Sequence, residues 1–405
     1  MTKQSNLSKR YLILAAGVFA MLFAGIIYAW SILKAPLKDH LSYEESALSL
    51  NYTLTLCFFC LGGFVSSHIV KRIGAQLTIL IAGILAGLGF VLTSLLTAES
   101  GILLYFTYAL LAGSGIGTSY IIIISSVNAW FPDKRGISSG ALMMGFGLST
   151  LLFGKIADAL FDSSFGWRNT YFLLGVALVL VISLSSLIIK APDGSVSLPQ
   201  KKAAKTGQED FEAKDYTPKE MIRNFTFWRM FLALAFIAAV GNSVISSARD
   251  LAISVGAQTD LATTLVGILA VCNGVGRILT GVAFDTLGRR FTLLYAGILA
   301  IIASGISLLA VCITSLPLCI VGLCLTGLAY GTVPTVPSVL ISTFFGQKHY
   351  SANLSLSGFN LVLGAFIATG CSAIYEASGG YIAPFIVLLA LSVIAFILNL
   401  TIKKP

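Results

Sequence analysis

Apolar residues occur in long runs that recur along the whole chain, with short polar or glycine-containing segments between them. Each run holds about 20 residues, the length at which an α-helix crosses a hydrocarbon core of roughly 30 Å. The pattern therefore predicts an all-α polytopic membrane protein with twelve transmembrane helices. Their expected positions are 11–33, 48–70, 75–97, 102–128, 137–160, 170–189, 230–248, 263–284, 291–313, 316–342, 352–375 and 381–401.

The composition excludes soluble protein classes. Of the 405 residues 57% are hydrophobic and 11% are charged, and the mean hydropathy is +0.91, which is far too apolar for soluble globular domains. The seven cysteines all lie inside predicted spans. Cys57-x-x-Cys60 has a spacing known from redox and metal sites, but without a nearby histidine or carboxylate it favours small apolar packing. No nucleophile elbow or phosphate loop is found, so the sequence predicts no enzyme, no metal and no cofactor.

The basic residues indicate how the spans are oriented. The formal net charge is +9, from 26 Lys and Arg against 17 Asp and Glu. Twenty of these 26 fall in segments that are cytoplasmic if an even number of spans has both ends inside, which is the positive-inside pattern. The excess charge is thus explained by topology rather than by nucleic-acid binding, and both termini are expected in the cytoplasm. The first run is too long for a secretory signal, so an uncleaved span is expected.

A polar interruption at about 190–224 divides the spans six and six. It is rich in lysine and acidic residues, which is typical of a partly disordered linker, with a short surface helix predicted from Pro218. The expected domains are a cytoplasmic N-terminus (1–10), an N-terminal six-helix bundle (11–189), a cytoplasmic linker (190–227), a C-terminal six-helix bundle (228–402) and a cytoplasmic tail (403–405).

The two halves are related by an internal repeat. A shift of 214 residues superimposes Ala82–Ala86 on Ala296–Ala300 without a mismatch. The same register pairs Gly74 with Gly288, Gly113 with Gly327 and Gly117 with Gly331, and one residue of slip pairs Gly145-Phe146 with Gly358-Phe359. Two pseudo-symmetric six-helix halves, with a substrate site at their interface near the bilayer midplane, are expected of one large class of secondary transporters.

Arg277 lies in the middle of the predicted span 263–284. A guanidinium stays protonated at any cellular pH, and at a bilayer centre it costs roughly 2.5–3.5 kcal/mol on insertion scales. The one acid within a predicted span, Asp158, lies close to the end of its span, so an anionic substrate is the simplest candidate to neutralise the charge. A planar guanidinium binds a carboxylate through two parallel, charge-assisted hydrogen bonds.

The segment Gly281–Arg290, GVAFDTLGRR, resembles the loop signature between the second and third helices of a half in the major facilitator superfamily. The resemblance covers essentially the full chain and implies the fold of that superfamily. It also implies a cytoplasmic gate formed by Asp285, Arg289, Arg290, Lys71 and Arg72. The N-terminal copy departs from the signature, because Ser67 and Lys71 occupy the positions where the signature has its first glycine and its acid. Positive-inside charge alone is the alternative explanation of the two arginines.

A narrower resemblance points to the oxalate/formate antiporter family and related monocarboxylate transporters. The stretches that carry it are Ile27–Ser31 (IYAWS), Tyr120 ahead of Trp130–Gly136 (WFPDKRG), Gly166–Arg168 (GWR), Asp215–Met221 (DYTPKEM), Asn273–Arg277 (NGVGR) and Phe344–Gly346 (FFG). This resemblance implies that Arg277 is the substrate-binding cation. It further implies that three tyrosines line the cavity, namely Tyr28, Tyr120 and Tyr330.

Two departures from these relatives narrow the expected substrate. In the oxalate exchangers a lysine in helix 11 supplies a second cation, but residues 355–364 read SLSGFNLVLG, with Leu361 next to Asn360 at that position. In many monocarboxylate transporters an aspartate lies four residues before the helix-8 arginine, where this chain has Asn273. Without the helix-11 lysine, the one fixed positive charge matches a substrate with one carboxylate. With Asn273 in place of the aspartate, the usual proton-binding acid is missing.

Four more residues are candidates for the cavity wall. Met143 and Phe146 occupy the part of the fifth helix in the N-terminal half that Phe359 and Asn360 occupy in the C-terminal half. Helix packing is the alternative role, because glycine-rich segments bring helices close together.

The sequence therefore predicts a secondary transporter that moves a small monocarboxylate, of the formate, lactate or pyruvate class, by alternating access. Symport with a proton and exchange of anions both stay open. The alternatives are an oxalate/formate-type anion exchanger and a transporter-like anion sensor. The expected partners are the carboxylate, a co-transported proton and the lipid bilayer, without nucleic acid, and a monomer in the plasma (inner) membrane is expected.

Overall fold

The computed structural model describes residues 3–43, 45–161, 163–192 and 214–405. All regular structure within these ranges is helical, as the hydropathy pattern predicts. The α-helices are α1 (Lys3–Ala24), α2 (Trp30–Leu33), α3 (Ala35–Leu41), α4 (Glu45–Thr93), α5 (Gly101–Leu104), α6 (Ser114–Asn128), α7 (Arg135–Phe161), α8 (Gly166–Ile188), α9 (Pro218–Ile222), α10 (Phe225–Ser254), α11 (Thr259–Cys312), α12 (Leu316–Phe344), α13 (Tyr350–Gly358), α14 (Asn360–Ser378) and α15 (Ile382–Thr401). Gly25–Ala29 and Ala98–Ser100 form 3-10 helices, and Tyr105–Gly113 forms a π-helix.

Ten helical segments in the described part of the chain are long and apolar enough to cross a membrane. Two of them, Leu50–Thr93 and Thr264–Cys312, have 44 and 49 residues. At 1.5 Å per residue they would measure about 66 and 74 Å, more than twice the hydrocarbon thickness of roughly 30 Å. Each long segment is therefore long enough for two predicted spans.

One glycine breaks each long segment at the same repeat position. Gly74 has φ 79° and ψ 167°, and Gly288 has φ 82° and ψ 177°, a backbone conformation that only glycine adopts readily. Dividing α4 and α11 at these glycines yields the twelve apolar segments that the sequence predicts. The number of actual membrane crossings and the side on which the termini lie stay predictions.

Large aliphatic side chains are exposed along the spans. On α8, for example, Leu184 is 58% exposed and Leu187 is 71% exposed. Monomeric soluble proteins rarely expose broad apolar surfaces, whereas a helix that faces lipid needs one. These faces are those expected of a polytopic membrane protein.

The chain divides into two compact units. The first comprises Met1–Glu212 together with Tyr350–Leu356, and the second comprises Ala213–His349 and Ser357–Pro405. Residues 193–213 of the predicted linker 190–227 lie outside the described residues, so the predicted domain boundaries stay predictions. The short helix predicted from Pro218 is present as α9, where Thr217 and Glu220 form a capping box.

Within the second unit, the segment before α9 is bonded to the turn between α12 and α13. Asp215 Oδ1 accepts hydrogen bonds from the backbone N–H groups of Gln347 and Lys348, at 2.9 and 3.0 Å. The N–H of Tyr216 donates to the carbonyl oxygen of Phe345 at 2.9 Å. The bond from Lys348, with that from Gln347, holds the pKa of the Asp215 carboxyl below its ordinary value. The ionised carboxylate of Asp215 therefore holds the turn at neutral pH.

Candidate functional site

Four of the predicted cavity residues meet in the first unit. The Tyr28 and Phe146 rings lie 5.4 Å apart, and the Tyr120 and Phe146 rings lie 5.1 Å apart, both edge to face. The hydroxyl of Tyr120 donates to Met143 Sδ at 3.0 Å. Edge-to-face contacts of this kind are favourable beyond the area they bury. We call Tyr28, Phe59, Tyr120, Met143 and Phe146 the aromatic cluster.

Local backbone features position this cluster. Tyr28 lies in the 3-10 segment, where a Cβ on Gly25 would overlap the carbonyl oxygen of Phe146. The glycine therefore lets the first span approach α7 closely enough for the Tyr28 ring to reach Phe146. This contact joins Tyr28 to the other predicted aromatic residues.

Phe59 is a member of the aromatic cluster that the sequence analysis did not single out. Its ring lies 5.1 Å from Tyr120 and 6.2 Å from Phe146. A Cβ on Gly117 would overlap the backbone of Phe59, so α4 and α6 are in close backbone contact here. The internal repeat could have indicated Phe59 from the sequence, because a shift of 214 residues aligns Phe59 with Asn273.

Arg277 and Asn273 lie one turn apart on the first part of α11, in the second unit. Arg277 is 2% exposed and Asn273 is 9% exposed. The Nε–H of Arg277 donates to Asn273 Oδ1 at 3.3 Å. The carboxamide is neutral, so this hydrogen bond orients the guanidinium without cancelling its positive charge.

Two glycines set the distance between α11 and α12 beside Arg277. A Cβ on Gly327 would lie 2.5 Å from the carbonyl oxygen of Leu269, and one on Gly331 would lie 2.7 Å from the backbone nitrogen of Arg277. Gly327 faces the segment from Leu269 to Asn273, and Gly331 faces the segment from Asn273 to Arg277. Four residues along α12 thus correspond to about four along α11 in the same direction, so the two helices run side by side and parallel.

Tyr330 contacts a residue of α10 that the sequence analysis missed. Its hydroxyl donates to Asn242 Oδ1 at 2.9 Å, and its ring fills the space that a Cβ on Gly241 would occupy. Tyr330 is 5% exposed. A signal for Asn242 exists in the sequence, since Gly241-Asn242-Ser243 is a polar interruption of an apolar run.

The last two predicted cavity residues lie where α13 ends and α14 begins. Phe359 separates the two helices and is half-buried. Asn360 is 2% exposed, and its Nδ2 has no hydrogen-bond partner among the described residues. One turn further along α14, Gly364 packs against Ala235 and Ala238 of α10. The structure joins neither Phe359 nor Asn360 to Arg277 through a direct contact that we can describe.

The predicted gate residues occupy the two glycine turns. Lys71 and Arg72 precede Gly74 and are exposed, as is Arg290 after Gly288. The Arg289 guanidinium lies 5.4 Å from the centre of the Phe344 ring, a cation–π contact. Asp285 is half-buried on α11. Their role as a conformational latch stays a prediction.

The two units offer different chemistry at equivalent positions. In the repeat register, the apolar Phe59 and Gly63 of the first unit correspond to Asn273 and Arg277 of the second. The first unit thus presents an aromatic ring and a glycine where the second presents an amide and a cation. Among the described residues, no group of three or more His, Cys, Asp or Glu is arranged to hold a metal ion.

Two relatives are similar to this chain in sequence. The sequence matches the family profile of the Major Facilitator Superfamily over residues 13–369 and 231–405. It is 25% identical to the oxalate:formate antiporter of Oxalobacter formigenes over 395 residues, 96% of this chain and 90% of that protein. It is 26% identical to monocarboxylate transporter 2 of Homo sapiens over 210 residues, 51% of this chain and 43% of that protein. The resemblance that the motifs indicate is confirmed.

A solved structure shows the same fold. The proton:xylose symporter XylE superimposes with a TM-score of 0.74 at 16% identity, over 100% of this chain and 97% of that one. The profile match covers most of the chain and the transporter fold extends over its full length. The protein belongs to the Major Facilitator Superfamily, as a multi-pass transporter of the plasma membrane.

Proposed function

We propose that this protein is a secondary active transporter of small monocarboxylates, of the formate, lactate or pyruvate class. It works by alternating access, as a monomer, with Arg277 binding the carboxylate. The observation that carries the proposal is the burial of the Arg277 guanidinium, whose described hydrogen bond goes to a neutral amide. The names of two relatives, an oxalate:formate antiporter and a monocarboxylate transporter, support a carboxylate substrate.

The physical argument begins with the cost of a buried guanidinium. Moving the charge from water to a site of low dielectric is expensive unless an anion and hydrogen bonds compensate. The chain itself contains the geometry that a carboxylate would adopt, because Arg10 holds Asp133 through two bonds of 3.0 Å each. A substrate carboxylate that binds Arg277 in the same bidentate way would gain two charge-assisted hydrogen bonds.

The remaining site residues favour one carboxylate over two. Asn360 and Leu361 stand where the resemblance expects the second cation, and neither carries a charge. A second carboxylate would have to leave water without a fixed positive charge at that position, which costs several kcal/mol. A single carboxylate matches the one charge that Arg277 supplies.

A second candidate function is anion exchange, and the antiporter named above favours it. Because Asn273 replaces the expected acid, the second unit lacks the family's proton-binding residue at that position. A proton would then travel on the substrate or on water. We favour symport, since a single cation is typical of monocarboxylate binding.

Uptake of radiolabelled carboxylates into proteoliposomes tests the proposal. Arg277→Ala should lower uptake by about 100-fold or more, because two hydrogen bonds to a charged group are lost. Arg277→Lys keeps the charge but not the fork geometry, so it should retain partial uptake. Arg223→Ala serves as the control, since Arg223 is exposed at the end of α9. Unchanged uptake of every carboxylate by Arg277→Ala would show the proposal to be wrong.

A further inference from the structure

Asn242 is a polar side chain in the middle of an apolar helix. On α10 it lies between the buried Val240 and Val244, each at most 1% exposed. Its Oδ1 accepts the hydroxyl hydrogen of Tyr330. This bond fixes the orientation of the carboxamide, because the carbonyl end is the only acceptor that the amide has.

The other end of the amide is buried and, within the described part of the chain, has no hydrogen-bond acceptor. Asn242 Nδ2 carries two N–H donors, and leaving such a buried group unsatisfied is unfavourable. Buried polar groups in native proteins nearly always have a partner. An acceptor that binds during the transport cycle would supply one.

The position of this donor relates it to Arg277. Tyr330 directly precedes Gly331, whose missing Cβ lets α12 contact the backbone of Arg277. Long side chains on a helix point back toward its N-terminus, and α11 and α12 run parallel at this level. The guanidinium and the Tyr330 hydroxyl therefore extend in the same direction from the same level. The amide that accepts from this hydroxyl lies on α10, at a similar level along the helices.

We infer that Asn242 determines substrate specificity by donating from Nδ2 to an oxygen on the carbon next to the bound carboxylate. The inference rests on the proposed function, and it identifies the substrates as small 2-oxo or 2-hydroxy monocarboxylates. The Arg277 guanidinium and Asn242 Nδ2 are hydrogen-bond donors only. They therefore match a ligand whose carboxylate and adjacent oxygen both accept hydrogen bonds. An unsubstituted acid of the same length would leave the Asn242 donors unpaired and bind less well.

Matched substrates provide the first test. Pyruvate and propionate have the same carbon chain and differ in the oxygen on carbon 2, so we compare their uptake in proteoliposomes. The wild-type protein should prefer pyruvate by about tenfold, the worth of one buried hydrogen bond. Asn242→Ala should reduce this preference to near unity while propionate uptake continues. Equal uptake of both acids by the wild-type protein would overturn the inference.

Two further variants keep the result interpretable. Asn242→Leu removes both polar ends but keeps the branched shape at Cγ, so it replaces Asn242→Ala if that variant does not fold. Propionate uptake then reports a folded carrier. Tyr330→Phe removes only the hydroxyl that orients the carboxamide, so its pyruvate preference should lie between that of the wild type and that of Asn242→Ala. A wild-type preference in both Asn242 variants would show the inference to be wrong.

Failure of the inference is distinguishable from failure of the proposed function. Arg277→Ala should abolish uptake of pyruvate and propionate alike. If uptake depends on Arg277 but no Asn242 variant changes the preference, the specificity role is overturned while carboxylate transport stands. If neither acid is carried by the wild-type protein, or if uptake is independent of Arg277, the proposed function itself fails.

Discussion

Gly331 shows how much a single missing side-chain atom contributes to the candidate site. A Cβ at this position would lie 2.6 Å from the carbonyl oxygen of Asn273, 2.7 Å from the nitrogen of Arg277 and 2.8 Å from the carbonyl carbon of Gly276. All three are backbone atoms, which cannot rotate away as a flexible side chain can. Any larger residue must therefore push α11 and α12 apart and displace Arg277.

We expect Gly331→Ala to destabilise the protein by about 1–3 kcal/mol, the usual cost of overpacking, and to reduce carboxylate uptake strongly. Gly370→Ala is the matched control, because a Cβ on Gly370 meets nothing within 4 Å. On an open helix position alanine is neutral or stabilising by up to about 1 kcal/mol. Thermal unfolding in detergent measures both variants. Equal stability of the two would contradict the role given to Gly331.

Some residues of the candidate site are predictable from the sequence and others are not. Arg277 was identifiable because a guanidinium inside an apolar run has a large and general energetic cost. Phe59 is one phenylalanine among 26, and its contact with Tyr120 depends on how α4 and α6 pack. Asn242 becomes a candidate only through its hydrogen bond to Tyr330, because the hydropathy pattern does not reveal which side chains meet between helices.

At the scale of the element, the turn from Phe345 to His349 between α12 and α13 is held by a carboxylate from outside the turn. Gly346 has φ 82°, and a Cβ there would meet Asp215, so glycine both permits the backbone shape and makes room for the acid. The bonds from Gln347 and Lys348 lower the pKa of Asp215 below its ordinary value. The stabilising effect is therefore complete above the ordinary aspartate range, about 3.9, and is lost only as pH falls through the lowered pKa.

Hydrogen exchange of the turn tests this interaction. In Asp215→Ala the backbone amides of Gln347 and Lys348 should exchange about tenfold faster, since a hydrogen bond to a charged group is lost from each. Asp215→Asn keeps one acceptor oxygen and should be intermediate. The difference between wild type and Asp215→Ala should persist from neutral to mildly acidic pH. Glu220→Ala, which removes the nearby capping carboxylate of α9, should leave both amides unchanged.

The helices themselves were predictable, but their irregularities were not. Runs of apolar residues located every long helix because each must match the bilayer thickness. The same runs gave no indication of the 3-10 segment Gly25–Ala29 or of the break at Phe359. Hydropathy indicates whether a residue prefers an apolar environment, but not which backbone groups form hydrogen bonds with each other. Both irregularities lie next to candidate site residues, Tyr28 and Asn360, where local deviation from the regular helix is expected to serve function.

At the scale of the whole molecule, the repeat preserves packing and varies chemistry. Gly117 contacts Phe59 in the first unit and Gly331 contacts Asn273 in the second, and these two pairs are equivalent in the 214-residue register. The glycines keep the helix pairs close in both units, while the residues they face have diverged. The internal similarity therefore predicts the two-bundle architecture from the sequence. The difference between an aromatic first unit and a cationic second unit is seen only from the side-chain contacts in the structure.

The charge of Arg277 also bears on energy coupling. A carrier that returns empty must move the Arg277 charge without its anion, whereas an exchanger always returns loaded. If symport is correct, vesicles without an internal anion should accumulate labelled carboxylate, and an acidic exterior should accelerate uptake, because the proton enters with the substrate. Exchange predicts uptake only into vesicles preloaded with carboxylate, and little effect of an imposed pH gradient. Comparing empty with preloaded proteoliposomes at two external pH values separates these outcomes, and uptake confined to preloaded vesicles would contradict symport.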